Sequence, residues 1–235
     1  MSTIITYKIV SDREDKLRDA AKLACDFWNK YVIPSSSIVI RLGIFTRFGN
    51  TIARAYEPYR KNGVMYGRVE FNTRYLSEFS EAEIVGTIVH EIGHTLGIGW
   101  DRWMELFYKE TGKFKQEYID RLPELADMRV ETDYGPGTRF SHWDEEIFGK
   151  ELMTGFKDNA EYVLPVTISS TSLLGHTLAE ELLEQQLLID ILNQLRGIQF
   201  TRIKEAEKLD REYIEETDVW EEVYTNKKTP MDEMD

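Results

Sequence analysis

The chain has 235 residues, with 29 Lys+Arg against 42 Asp+Glu, a net charge of −13. Its 42% hydrophobic content excludes wholesale disorder, its single Cys25 excludes an intramolecular disulfide framework and fits a reducing compartment, and its acid excess argues against a nucleic-acid binder. No apolar run approaches the ~20 residues that span a bilayer, and the N-terminus reaches charge too soon for a Sec signal peptide, so the expectation is a soluble protein, cytoplasmic at synthesis, with leaderless export or virion association left open.

Ile5, Tyr7 and Ile9 alternate as a short strand would. Residues 13–30 place Leu17, Ala20, Ala21, Ala24, Phe27 and Trp28 at helical spacing, and Pro34 closes the segment. Ile38, Ile40, Leu42 and Ile44 predict a second strand, Ile52 to Ala55 a third, and Met65 to Phe71 a half-buried fourth. Ser80-Glu81-Ala82-Glu83 has the capping-box form, and Val85, Val89, Ile92 and Leu96 then make one buried helical stripe. Gly97 and Gly99 can end that helix. Residues 101–128 read as helical and amphipathic, with Trp103, Leu106, Phe107, Tyr118, Ile119 and Leu122. Residues 131–176 read as mostly irregular. Residues 177–235 hold 16 acids and 7 bases, a net of −9, and the Leu188, Ile191, Leu195, Ile198 spacing predicts a long helix or helical hairpin there.

The informative stretch is Val89-His90-Glu91-Ile92-Gly93-His94, inside the capped helix. Residues four apart lie above one another on a helix, so His90 and His94 share a face and can bind one zinc at about 2.0–2.1 Å each. Glu91 can then reach a water at the metal and act as general base. Two protein ligands do not finish a catalytic zinc site, which usually has three and a water. Three residues beyond Gly97, where a compact metzincin pattern places the next His, stands Trp100, which cannot ligate. The third ligand must come from further along: His142, His176 or a carboxylate.

Glu131 to Gly155, ETDYGPGTRFSHWDEEIFGKELMTG, resembles the leishmanolysin family of metzincin zinc proteases. In that family an insertion separates the helix-ending glycine, here Gly97, from a third His in a G-T-x-x-S-H-W-E context. Gly137, Thr138, Ser141, His142 and Trp143 match it, with Asp144 in place of Glu. An E-L-M-T-G segment follows, matched by Glu151 to Gly155, and its Met forms a turn beneath the zinc. The resemblance covers about residues 80–176 and extends to Val166–Gly175; His176 replaces the aromatic residue usual at that point. It implies zinc held by His90, His94 and His142, Met153 as the Met-turn, and peptide-bond hydrolysis. Family members are typically secreted, made with a propeptide and rich in disulfides. This chain, with one Cys, looks like a minimal bacterial or phage-type member.

The expected architecture is α+β: a metzincin-like, two-lobed catalytic domain built on a twisted mixed sheet. Residues 1–97 form an N-terminal lobe with the zinc helix, residues 98–176 an irregular lobe with the third ligand and the Met-turn, and residues 177–235 an acidic helical extension. The Met65–Phe71 strand is expected at the sheet edge, where an extended peptide could pair with it. Tyr134 and Tyr162 could assist an oxyanion but are expected to pack. Gly135 and Gly137 are expected to turn His142 back to the cleft. Asp144 could orient a ligand imidazole or cap a turn, and His176 and Cys25 are expected to be structural. The partner is a protein or peptide substrate, with no nucleic acid or membrane, and the 177–225 region could support oligomerisation or docking. The alternatives to a general endopeptidase are an assembly component that retains a zinc site and a protease dedicated to one partner protein.

Overall fold

The structure, a computed structural model, describes residues 3–158 and 161–179. The acidic extension, apart from its first three residues, and with it the Leu188–Ile198 stripe, lies outside the described residues.

The framework is a mixed α/β fold. Strands β1 (Ile5–Ile9), β3 (Ile38–Phe45) and β6 (Val64–Asn72) run parallel in the order β1-β3-β6, and β4 (Ala53–Ala55) and β5 (Tyr59–Lys61) pair antiparallel with β6. Helix α1 (Leu17–Tyr31) makes the crossover between β1 and β3. It starts later than the periodicity predicts, because Glu14 and Asp15 take positive φ and the Asp12 carboxylate accepts from Leu17 N. Two-residue β2 (Val32–Ile33) leaves the main sheet and pairs with β7 (Thr177–Leu178).

The inward side chains of the sheet, Ile38, Ile40, Leu42, Val69 and Phe71, are buried with Ala20, Ala24, Trp28 and Tyr31 of α1 and with the next long helix. That helix, α3 (Glu81–Thr95), follows a short α2 (Thr73–Glu78) that is N-capped by Asn72 and not foreseen from the sequence. Both halves of the Ser80/Glu83 capping box are present. Trp28 of α1 donates its indole N–H to Val89 O at 2.9 Å, which ties the two helices together. Gly67 lets α3 lie close to β6: a β-carbon there would stand 2.4 Å from Thr95. These contacts fix the depth and rotation of the helix that carries His90 and His94. Cys25 is buried in this core, and burial pushes its thiol up to about 12, so it is inert.

Two sequence expectations are corrected. Met65–Phe71 is not an edge strand: β6 has β3 on one side and β4 and β5 on the other. The missing partner is supplied by the Asn62-Gly63 hairpin, whose positive φ values at both central residues suit a tight primed turn. The edge is β4. Residues 101–128 do not form one amphipathic helix either. They break into α4 (Asp101–Met104), α5 (Gln116–Ile119) and a 3-10 turn (Pro123–Asp127), with a Phe107–Phe114 bridge between. Gly112, at φ +66, makes the reversal, and a β-carbon there would meet Val130 O at 2.1 Å. The aromatic residues pack around a second core with Trp103 and Trp143 in edge-to-face contact. Short helices α6 (Glu145–Phe148) and α7 (Pro165–Ser170) complete this part. Among the described residues no helix is long and apolar enough to cross a membrane.

Candidate metal centre

His90 and His94 project from one face of α3, four residues apart. His142 arrives from the irregular segment after Gly135 and Gly137. There Thr138 N and Arg139 N donate to Gly135 O, and Ser141 Oγ donates to Gly137 O. The three Nε2 atoms stand 3.0 Å (His90–His94), 3.2 Å (His94–His142) and 3.2 Å (His90–His142) apart.

Each Nδ1 faces a backbone carbonyl: His90 to Leu152 O at 2.6 Å, His94 to Ile98 O at 2.9 Å, His142 to Thr138 O at 3.1 Å. A carbonyl only accepts, so all three protons sit on Nδ1 and all three Nε2 lone pairs point inward. Three converging lone pairs repel unless a cation lies among them. A tetrahedral ion with ligands at ~2.0–2.1 Å would separate them by about 3.3 Å, close to the edges found. The carbonyl partners are the outer contacts that fix tautomer and ring orientation at a metal. Burial, followed for His90 and His142 by the neighbouring imidazoles, holds every ligand below the ordinary histidine value: His94 at about 4, His142 at about 3, and His90 well below. All three stay neutral and ready to ligate. Among the described residues they are the one cluster able to hold a metal ion.

Glu91 follows the first ligand and is buried against the same cleft. Its Oε2 has no hydrogen-bond partner. Burial pushes its carboxyl up to about 8, countered by the charges of Lys157 and Arg54. A buried carboxylate oxygen left open beside three convergent imidazoles is fitted to a polar group arriving in the cleft. The cleft is walled on one side by residues 50–55, which include β4, and on the other by residues 152 and 154–157.

Trp100 donates its indole N–H to His94 O at 2.7 Å, so where a compact pattern would place a ligand the chain clamps the helix end instead. Gly97 turns the chain at φ +110. Met153 is buried beneath α3, where a β-carbon on Gly93 would stand 2.8 Å from its sulfur. Asp144 accepts from Glu146 N and Ile147 N and so caps α6; the carbonyl of Thr138, not Asp144, orients His142. His176 is no ligand: its Nδ1 accepts from Ser35 N and its Nε2 donates to Leu96 O. Tyr134 packs edge-to-face on Phe156, and neither it nor Tyr162 lines the cleft.

Sequence reasoning passed over Glu151 as more than a motif letter. Its carboxylate accepts from Met153 N at 2.5 Å, Leu164 N at 3.0 Å and Thr167 Oγ1 at 2.7 Å, and so holds the segment beneath the ligands. It also missed the buried Lys157–Glu161 ion pair on the cleft wall.

Three convergent imidazoles with a carboxylate beside the first form a zinc metalloendopeptidase-type active site. No family model matches the chain, and no curated protein matches it either.

Proposed function

We propose that the chain is a zinc-dependent endopeptidase of the metzincin type, similar to the leishmanolysins. The observation that carries this reading is the set of three inward Nε2 lone pairs beside the open Glu91 carboxylate. A purely structural metal site gains nothing from a buried, unpartnered carboxylate at its rim.

His90, His94 and His142 would hold the ion. When bound, zinc polarises a carbonyl and lowers the pKa of a water to about 7. Glu91, whose Oε2 is open toward the cleft, would take a proton from a nucleophilic water there and return it to the departing amine. Met153 packs under the ligand helix as the Met-turn and is not itself a ligand. The second hydrophobic core draws only on residues from Ile98 onward, while the first joins residues of the N-terminal part to Leu152, Val163 and Ile168, so the two parts share the packing beneath α3.

The substrate is a peptide in extended form. Asn72 N donates to Ile52 O and Tyr56 N to Arg68 O, so Ile52, Arg54 and Tyr56 turn their backbone groups toward β6. By strand alternation, Ala53 and Ala55 turn theirs to the open side. Those groups lie along the cleft wall, where a peptide can add as a further strand.

Glu91→Gln tests the reading. Cleavage of a fluorogenic peptide library should disappear while one zinc per chain stays bound. Undiminished cleavage by that variant sinks the mechanism.

A further inference from the structure

The cleft has a second polar end that metal chemistry leaves unused. Thr87 and Glu91, one turn apart on α3, both line it, and Lys157 and Glu161 line it as well. Lys157 Nζ lies 3.1 Å from Glu161 Oε2, with the two side chains only 7% and 2% exposed. Glu161 Oε1 accepts from Asp158 N at 2.8 Å, whereas Oε2 receives no hydrogen bond. An ion pair taken this far out of water adds little stability over two apolar residues of the same volume. On the wall of a cleft its use is to read what enters.

We propose that Lys157 and Glu161 form a specificity subsite for an uncharged side chain with both an acceptor and a donor, the carboxamide of Asn or Gln, beside the scissile bond. This rests on the endopeptidase reading and names its substrate class. The alternatives fail one by one. A cationic side chain would compete with Lys157 for Glu161 and bring a second cation against the ammonium already there. An anionic one would face Glu161, with the carboxylates of Glu91 and Glu83 also within electrostatic reach of Lys157. An apolar one would leave Glu161 Oε2 buried with the Lys157 ammonium beside it but no hydrogen bond, which a site built around polar groups penalises. A hydroxyl carries both functions on one atom and cannot bond the two partners side by side. A carboxamide can: its oxygen accepts from Lys157 while its NH2 donates to Glu161.

The test uses the zinc-loaded full chain and peptides that carry Gln, Asn, Glu, Lys or Leu at each position flanking the cleaved bond. Cleavage is followed with the wild type, and binding with the Glu91→Gln protein. At one position Gln or Asn should raise kcat/KM and tighten binding at least 10-fold over Glu, Lys and Leu. The Lys157→Met/Glu161→Leu protein should pass that preference to Leu. Binding indifferent to the carboxamide overturns the subsite, whether or not peptides are cleaved, and so does a double variant that keeps the Gln or Asn preference. Selective binding without cleavage of any peptide leaves the subsite standing and removes the endopeptidase reading.

Discussion

Gly93 and Met153 are packed so closely that a β-carbon on the glycine would stand 2.8 Å from the methionine sulfur and 3.5 Å from Trp28. The residue between the two metal-facing histidines is therefore small because the chain beneath the helix needs the room. Gly93→Ala gains about 1 kcal/mol of helix propensity and loses about 1–3 kcal/mol to overpacking, so net stability should fall by no more than about 2 kcal/mol. The displacement falls on the Leu152-Met153 segment, whose Leu152 carbonyl orients His90. Zinc affinity, read by competition with a chromophoric chelator, should drop about 10- to 100-fold. Met153→Ala added to Gly93→Ala should recover part of it, as coupled neighbours do. Unchanged affinity in the single variant would disprove the linkage.

His142 and His176 separate by chemistry although both are buried. His142→Ala removes one of three converging nitrogens, and stoichiometric zinc binding should be lost with activity. His176→Ala breaks bonds to Ser35 N and Leu96 O, so it should cost about 1–3 kcal/mol in denaturant unfolding. Metal content should remain one per chain. Zinc binding by His142→Ala at wild-type affinity would reassign the third ligand.

Glu151 makes the floor of the site sensitive to pH. Burial pushes its carboxyl from 4.5 up to about 7, against three donors that favour the charge. A carboxyl whose folded pKa is raised favours the folded state while protonated. That stability is complete below about 4.5 and lost as pH rises through about 7. The shift corresponds to at most roughly 3 kcal/mol. Glu151→Gln cannot ionise, and its NH2 would oppose a donor such as Met153 N–H. The wild type should therefore exceed Glu151→Gln in unfolding free energy most at pH 5, with the gap shrinking by pH 8. A gap that widens with pH contradicts the sign.

The ligand helix was legible because one period governs everything on it. The spacing that buries Val85, Val89 and Ile92 also puts His90 and His94 on a common face, and the capping box fixes where it starts. The groups that orient the imidazoles were not legible, since they are carbonyls of Leu152, Ile98 and Thr138, and a carbonyl has no sequence signature. Alternation in Met65–Phe71 reports which face is buried and says nothing about how many neighbours a strand has. The Asn62-Gly63 pair carried that information. In residues 101–128 the spacing of Trp103 and Phe107 imitates a helix, while Gly112 and Pro123 are the breakers that overrule it. The Lys157–Glu161 pair gave no signal, because charged residues in a loop are expected in water and only the tertiary structure buries them.

The division of labour within β4 leads to a last prediction. Arg54 spends its backbone on β6 and its guanidinium on Glu70, which also takes Arg68 and the Tyr56 hydroxyl. Ala53 spends its backbone on the open edge. Proline removes one N–H, and at an edge strand it is tolerated where that N–H faces outward. Ala53→Pro should therefore leave the sheet and the metal site intact, with a stability loss of no more than about 1 kcal/mol. It deprives an incoming peptide of one backbone bond, so kcat/KM should fall at least about 10-fold while zinc content is unchanged. Arg54→Pro removes a bond inside the sheet and unseats the arginine from Glu70, and it should lower the melting temperature by many degrees. Arg54 and Glu70 are two of the three charges in the ion cluster with Arg68, so the loss is structural before it is kinetic. If both prolines destabilise alike, the open edge of β4 does not face the cleft. If Ala53→Pro folds and cleaves as the wild type does, the substrate pairs elsewhere.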